Sequence, residues 1–126
     1  MLAGNATDIF VDIPNTGVLA PTDPQVLLAS PITASYGPGG PAPNQAALTA
    51  ALNFAPAAGG PPSFNARGLP CVPVGLTCPW TPGQGFVFFV SGPTSSGGDV
   101  GWAAVAVTPS GRSEVWTYDG TNWNQQ

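Results

Sequence analysis

The chain has 126 residues, enough for one domain spanning 1–126, and only 6% of them are charged, against roughly 25% in an average soluble domain. The net charge of −4, with two cationic residues and no histidine, argues against tight non-specific binding to nucleic acid and against docking on anionic lipid, because both need several cations. Partners are therefore expected to be met through apolar, aromatic and backbone contacts.

The first residues predict one strand followed by a turn. Ile9, Val11 and Ile13 alternate with Asp8, Phe10 and Asp12 in the sequence DIFVDI, and the Pro-Asn-Thr-Gly run at 14–17 would end this strand. Residues 1–7 could be the frayed end of a helix whose main body lies upstream.

The next third of the chain is interrupted by many glycines and prolines. Strands are predicted over 25–29 and, after the break at Pro31, over 32–36. Residues 37–62 predict loops around the segment AALTAALNFA (46–55). That segment has leucines at helical spacing, and the pattern leaves open a short helix or an irregular hairpin arm.

The second half predicts an antiparallel meander. The continuous apolar run FVFFV (86–90) is typical of a strand buried on both faces. The other predicted elements are a strand over 63–66, a strand over 102–107, a type I turn at 108–111, a strand over 114–118 and a tight turn at 119–120. The chain is therefore predicted to be mainly β, with antiparallel sheets, long Gly/Pro-rich loops and at most one or two short helices.

Cys71 and Cys78 are the only cysteines. Their spacing differs from the C-x-x-C of redox and zinc sites, so a disulfide is predicted, with two free thiols as the alternative. Closing this short loop would stabilise the fold by roughly 2–3 kcal/mol. A disulfide implies an oxidising compartment, the periplasm or the cell exterior; a loop-rich cytoplasmic domain is the alternative.

The sequence does not predict an enzyme. It lacks the histidine or lysine that would activate a nucleophile. Asp8 and Asp12 would share one face of a strand, but calcium needs six or more oxygens. We therefore predict no catalytic residues, no metal and no cofactor.

The aromatic residues of the second half have two interpretations. Flat rings could stack on sugars in a carbohydrate-binding module, or they could form the core and subunit contacts of a chain with few long aliphatics, which we favour. The residues concerned are Trp80, Trp102, Trp116, Tyr118 and Trp123.

The stretch from Phe64 to Trp123, about half of the chain, resembles the soluble domain of minor pseudopilins of the GspH/FimT type. The resemblance lies in FNARGLPC (64–71), GFVFFVSG (85–92) and WAAVAVTPSGRSEVWTYDGTNW (102–123). It implies a pilin-like head domain, a non-enzymatic subunit of a type IV pilus or of the type II secretion pseudopilus. The family's long N-terminal helix is absent from this sequence, so residues 1–7 would be its stump, and membrane contact would need that helix.

The resemblance also implies partners and a location. These would be other pilin or pseudopilin subunits, or further copies of this chain, in a periplasmic or extracellular filament. Some members bind DNA through arginines in a G-R-x-R element. Here it reads Gly111-Arg112-Ser113-Glu114, with a carboxylate in place of the second arginine, so DNA binding is not carried over. We expect Arg112 to serve the turn, pairing with Glu114 or a carbonyl.

A second hypothesis is a complete subunit of an extracellular fibre that polymerises by strand exchange. In it, residues 6–14, which include Ile9, Val11 and Ile13, would add to the open sheet edge of a neighbour. The sequence upstream of Met1 in the gene would separate these hypotheses, because a prepilin cleavage site, an ordinary signal peptide and a catalytic domain are easily told apart.

Overall fold

The computed structural model describes residues 8–10, 20–37, 40–57, 62–95, 97 and 100–126. The fold of these residues is mainly β with one short helix, as predicted. The elements in chain order are β1 Asp8–Phe10, β2 Gln25–Leu27, β3 Thr33–Tyr36, α1 Gln45–Ala51, β4 Ala55–Pro56, β5 Ser63–Phe64, β6 Pro70–Cys71, β7 Gln84–Pro93, β8 Val100–Val107, β9 Ser113–Tyr118 and β10 Trp123–Gln125.

A six-stranded sheet forms the body of the molecule, in the order β10-β9-β8-β7-β3, and β4 runs parallel to the start of β7. β7, β8, β9 and β10 are consecutive antiparallel neighbours, so the predicted meander is confirmed. Its register places Phe89 opposite Ala104 and Ala104 opposite Trp116. Large rings on β7 and β9 thus pack beside small residues on β8.

One face of this sheet, here called the helix face, carries the main core. Its buried side chains come from four strands, from α1 and from the loop before α1. They are Ala42, Leu48, Leu52, Val87, Phe89, Ala104, Ala106, Trp116 and Trp123. Successive side chains of a strand point to opposite faces, so Ala104 and Ala106 of β8 both lie on the helix face, where they are fully buried.

The opposite face has a smaller buried cluster at one end, and Ala34, the β3 partner of Val90, is also buried on that face. In the cluster, Phe86 and Val107, directly paired across β7 and β8, are buried with Ala57, and the ring of Phe64 lies edge-on to Phe86 at 5.8 Å. Further along the same face, four side chains are half-buried or exposed. They are Val90, Ala103, Val105 and Val115, here called the open face.

The helix α1 settles the alternative that the sequence left open for residues 46–55. It begins after Asn44, whose φ of 46° is left-handed, and buries Leu48 and Leu52 against the sheet. Gln45 Nε2 donates to the carbonyls of Gly40 and Ala42 at 2.8 and 3.2 Å, which fixes the preceding loop on the helix. Packing of the two leucines therefore selects the helix over a hairpin arm.

The N-terminal strands form a separate two-stranded sheet, here called the β1–β2 ribbon, in which Ile9 pairs with Val26. β2 ends at Leu27, two residues before the end of the predicted strand. The predicted residues Val11 and Ile13 and the turn at 14–17 lie outside the described residues.

Candidate functional site

Two turns that meet at one end of the sheet carry both arginines of the chain. Arg67 lies in the turn between β5 and β6, and Arg112 ends the turn between β8 and β9. The turns touch through their backbones, since a Cβ added to Gly111 would lie 2.8 Å from the carbonyl oxygen of Gly68. Gly111 also has a φ of 82°. Only glycine therefore fits this contact without strain.

Side chains fix the conformation of both turns. Asn65 Oδ1 accepts the backbone N–H groups of Arg67 and Leu69 at 2.9 and 3.1 Å. In the second turn, the N–H of Gly111 donates to the carbonyl of Thr108 at 2.8 Å, and Thr108 Oγ1 accepts the N–H of Arg112 at 3.1 Å. The predicted turn at 108–111 is confirmed.

The expectation that the Arg112 side chain pairs with Glu114 or with a carbonyl is wrong. Within the described residues, its guanidinium makes neither an ion pair with Glu114 nor a hydrogen bond to a carbonyl. Arg112 instead closes the turn with its backbone, since its carbonyl accepts the N–H of Thr108 at 2.8 Å. The side chain is exposed, because the backbone and the Thr108 hydroxyl already satisfy the turn.

The predicted disulfide between Cys71 and Cys78 is present, with the two Cα atoms 5.4 Å apart. Inside it, Val74 and Thr77 exchange backbone hydrogen bonds of 2.8 and 3.1 Å, so the loop is a small ordered hairpin. Its tip residue Leu76 is fully exposed. The loop thus holds an apolar side chain out in solvent.

The structure separates the predicted aromatic residues by burial. Trp116 and Trp123 are each 7% exposed and belong to the core, and Trp102 and Tyr118 pack against it. Trp80 is 46% exposed, and its Nε1 donates to the Pro109 carbonyl at 3.0 Å. Trp80 is thus attached to the turn that carries Arg112. The backbone of Trp80 also pairs with that of Cys71 in a single antiparallel β-bridge.

We call this end of the molecule the arginine pole, comprising residues 64–80 and 108–112. Sequence reasoning singled out the disulfide, Trp80 and Arg112, but not Arg67, Phe64 or Leu76. A signal for Arg67 was present, because Asn-Ala-Arg-Gly at 65–68 is a turn pattern with glycine in fourth place. Nothing in the sequence indicated that the two turns contact each other.

Other features of the described residues are less suited to ligands. Two shallow hollows beside Phe86 and Leu48 leave only about 0 and 10 Å³ of space for the centre of a water molecule, far below the roughly 300 Å³ at which ligand pockets begin. In the part of the chain that the structure describes, acidic residues and cysteines do not gather in groups of three or more that could hold a metal, and no helix is long and apolar enough to cross a membrane.

No family model matches the chain, and the comparisons with curated proteins and with solved structures found no match either. The resemblance to minor pseudopilins stays a prediction.

Proposed function

We propose that this chain is the head domain of a non-enzymatic subunit of a pilus or pseudopilus, of the minor pseudopilin type, and that it works in the periplasm or outside the cell. The observation that carries the proposal is the asymmetry of the six-stranded sheet. Its helix face is filled by core side chains, whereas its open face presents a row of apolar residues of which three are half-buried and Val115 is exposed.

The open face suits a long apolar helix. Val90 lies directly opposite Ala103, and Val105 lies opposite Val115, so the row crosses three neighbouring strands. Val115 is 46% exposed. A helix laid across these strands would remove the row from water, at roughly 25 cal/mol for each Å² of apolar area buried.

The disulfide and the low charge support the same proposal. The Cys71–Cys78 bridge is compatible with an oxidising compartment. A surface with few charges imposes little desolvation penalty when subunits pack against each other. A filament head needs both properties, because it is assembled outside the cytoplasm and contacts several neighbours.

The test is recovery of the natural gene product, expressed in its own host, in filaments sheared from the cell surface or in cross-linked periplasmic pseudopili. Val115→Asp is expected to reduce recovery at least about tenfold, because it places a charge under the packed helix. Val100→Asp is the matched control. Val100 is 60% exposed on the neighbouring strand β8. Because it lies four residues before Ala104 on that strand, its side chain is on the helix face and not on the open face. Absence of the wild-type protein from filaments, or equal recovery of both variants, would contradict the proposal.

A second candidate, the fibre that grows by strand exchange, is favoured by the β1–β2 ribbon. The ribbon is separate from the six-stranded sheet, and Val26 and Leu27 are 62% and 70% exposed. In this structure β1 is paired with β2 of its own chain, so exchange would have to open that pairing. Stable fibres formed by the purified 126-residue chain would favour this candidate over the pseudopilin head.

A further inference from the structure

The arginine pole concentrates exposed apolar side chains. Four large ones lie within its 17-residue segment 64–80, and the described remainder of the chain exposes such residues only at the ribbon, Val100 and Val115. The four are Phe64 at 50%, Val74 at 64%, Leu76 at 106% and Trp80 at 46% exposure. Single exposed apolar residues are ordinary, but a group on one rigid segment marks an interaction surface.

The pole is also rigid before it binds anything. The disulfide closes the loop that carries Val74 and Leu76. Trp80 is fixed by its hydrogen bond to the Pro109 carbonyl, and Asn65 fixes the turn of Arg67. Little conformational entropy is lost when such a surface docks, and tryptophan and arginine are the residues that contribute most to protein interfaces.

The positive charge of the arginine pole indicates which kind of surface the pole can bind. The pole holds both cations of the chain and none of its six carboxylates, so its formal charge is +2 and that of the rest of the chain is −6, which sum to the net −4. Among the described residues, Asp23 is buried, Glu114 is half-buried and Asp119 is exposed. Contact between two identical poles would bring four guanidinium groups together. Contact between a pole and a surface of a second copy that carries Glu114 or Asp119 brings arginines to a carboxylate, which is favourable.

We propose that the arginine pole docks on a second copy of this chain at a surface outside that copy's own pole, where Glu114 and Asp119 supply carboxylates. Leu76 and Trp80 supply the apolar contact, and Arg67 and Arg112 supply the charge. Such a heterologous contact repeats from one copy to the next and does not close on itself. The proposal deepens the proposed function, on which it rests, by naming the surface through which heads contact each other.

The experiment is sedimentation equilibrium of the 126-residue chain from about 20 µM to about 1 mM, the range for a small, transient interface. We expect reversible association that weakens severalfold between low salt and about 0.3 M salt, because exposed charges are then screened. Leu76→Ser and the double variant Arg67→Glu/Arg112→Glu are expected to abolish it. The conservative controls Leu76→Met and Arg67→Lys/Arg112→Lys keep the apolar contact and the charge, and should retain it.

A mixing experiment tests the direction of the contact. The Leu76→Ser variant keeps an intact acceptor surface, so it should bind the wild-type chain while failing to bind itself. A wild-type chain that stays monomeric at about 1 mM, association unaffected by Leu76→Ser, or a closed symmetric dimer would each overturn the proposal. So would co-sedimentation of the wild type, but not of Leu76→Ser, with phosphatidylglycerol–phosphatidylcholine vesicles, since the pole would then be a lipid-binding surface.

The two proposals fail separately. Presence in filaments with a monomeric isolated chain would leave the function standing and remove the docking surface. Association in solution without presence in filaments would do the reverse.

Discussion

Two buried tryptophans with equal exposure differ in how their indole N–H groups are satisfied. Trp123 Nε1 donates to the carbonyl of Pro43 at 3.1 Å. Trp116 Nε1 is buried without an acceptor among the described residues. Both rings lie in the same core cluster and are 7% exposed, so the pair isolates the contribution of one hydrogen bond.

Replacing each tryptophan by phenylalanine should therefore have unequal effects. Both changes remove ring volume, but Trp123→Phe also leaves the Pro43 carbonyl without its donor, whereas Trp116→Phe removes an unsatisfied N–H. We expect Trp123→Phe to lower the free energy of unfolding by about 1 kcal/mol more than Trp116→Phe. Urea denaturation followed by circular dichroism measures the difference. Equal losses, or a larger loss for Trp116→Phe, would contradict this assignment.

Burial of single aromatic residues could be predicted from the sequence only in part. Trp116 and Trp102 lie in alternating segments, and the pattern places them in a sheet. Trp80 instead lies between Pro79 and Pro82 in a segment without alternation, and it is half exposed because the chain fixes it on Pro109, far away in sequence. Such contacts depend on the path of the backbone, which local patterns do not contain.

At the scale of single elements, the turn between β9 and β10 depends on one carboxylate. Asp119 Oδ1 accepts the backbone N–H groups of Thr121 and Asn122, both at 2.8 Å, and Oδ2 accepts Asn124 Nδ2 at 2.9 Å. The backbone hydrogen bonds from Asn122 and Thr121 and the side-chain bond from Asn124 lower the pKa of Asp119 below its ordinary value. The ionised form thus holds the hairpin that places Trp123.

The lowered pKa of Asp119 determines in which direction the stability of the fold changes with pH. Because the folded pKa is lower than the unfolded one, the stabilisation is present above the unfolded value of 3.8 and is lost as the pH falls through the folded pKa. Asp119→Asn keeps an acceptor oxygen but cannot titrate. We expect the thermal midpoint of the wild type to fall more steeply than that of Asp119→Asn between about pH 5 and pH 2. Parallel curves would show that this carboxylate does not couple to folding.

The strands with an apolar pattern were predictable, and the two-residue strands β4 and β6 were not. β7, β8 and β9 carry continuous or alternating apolar patterns, and each contains its predicted segment. β4 and β6 have two residues each and include a proline, so they carry no periodicity. They exist because β7 and β5 offer backbone partners at those points. Similarly, the spacing of Leu48 and Leu52 is compatible with a helix, but it is their burial against the sheet that selects the helix over a hairpin arm.

At the scale of the whole molecule, composition predicted the fold class, but not the arrangement of charge. Arg67 and Arg112 are far apart in sequence, and the contact between Gly68 and Gly111 brings their turns together. The acidic residues lie outside the two segments that form this pole. The molecule therefore gathers both of its cations at one end, which a net charge of −4 conceals.

The sheets also divide the molecule into parts of different stability. β8 is hydrogen-bonded on both sides, to β7 and to β9, and contributes the fully buried Ala104 and Ala106. The β1–β2 ribbon has only its two strands, and two-stranded sheets alone are marginally stable in water. The ribbon should therefore open without unfolding of the six-stranded sheet.

Hydrogen exchange measured by mass spectrometry tests this division. We expect the amides of 25–27 to exchange at least about a hundredfold faster than those of 103–106, because local opening needs less free energy than global unfolding. Leu27→Ser should leave exchange in β8 unchanged, whereas Ala104→Ser, which puts a hydroxyl into the core, should accelerate it. Equal protection of ribbon and sheet would mean that they unfold as one cooperative unit. The N-terminal strand would then be too firmly held to act in strand exchange, and the pseudopilin head would be the better of the two candidate functions.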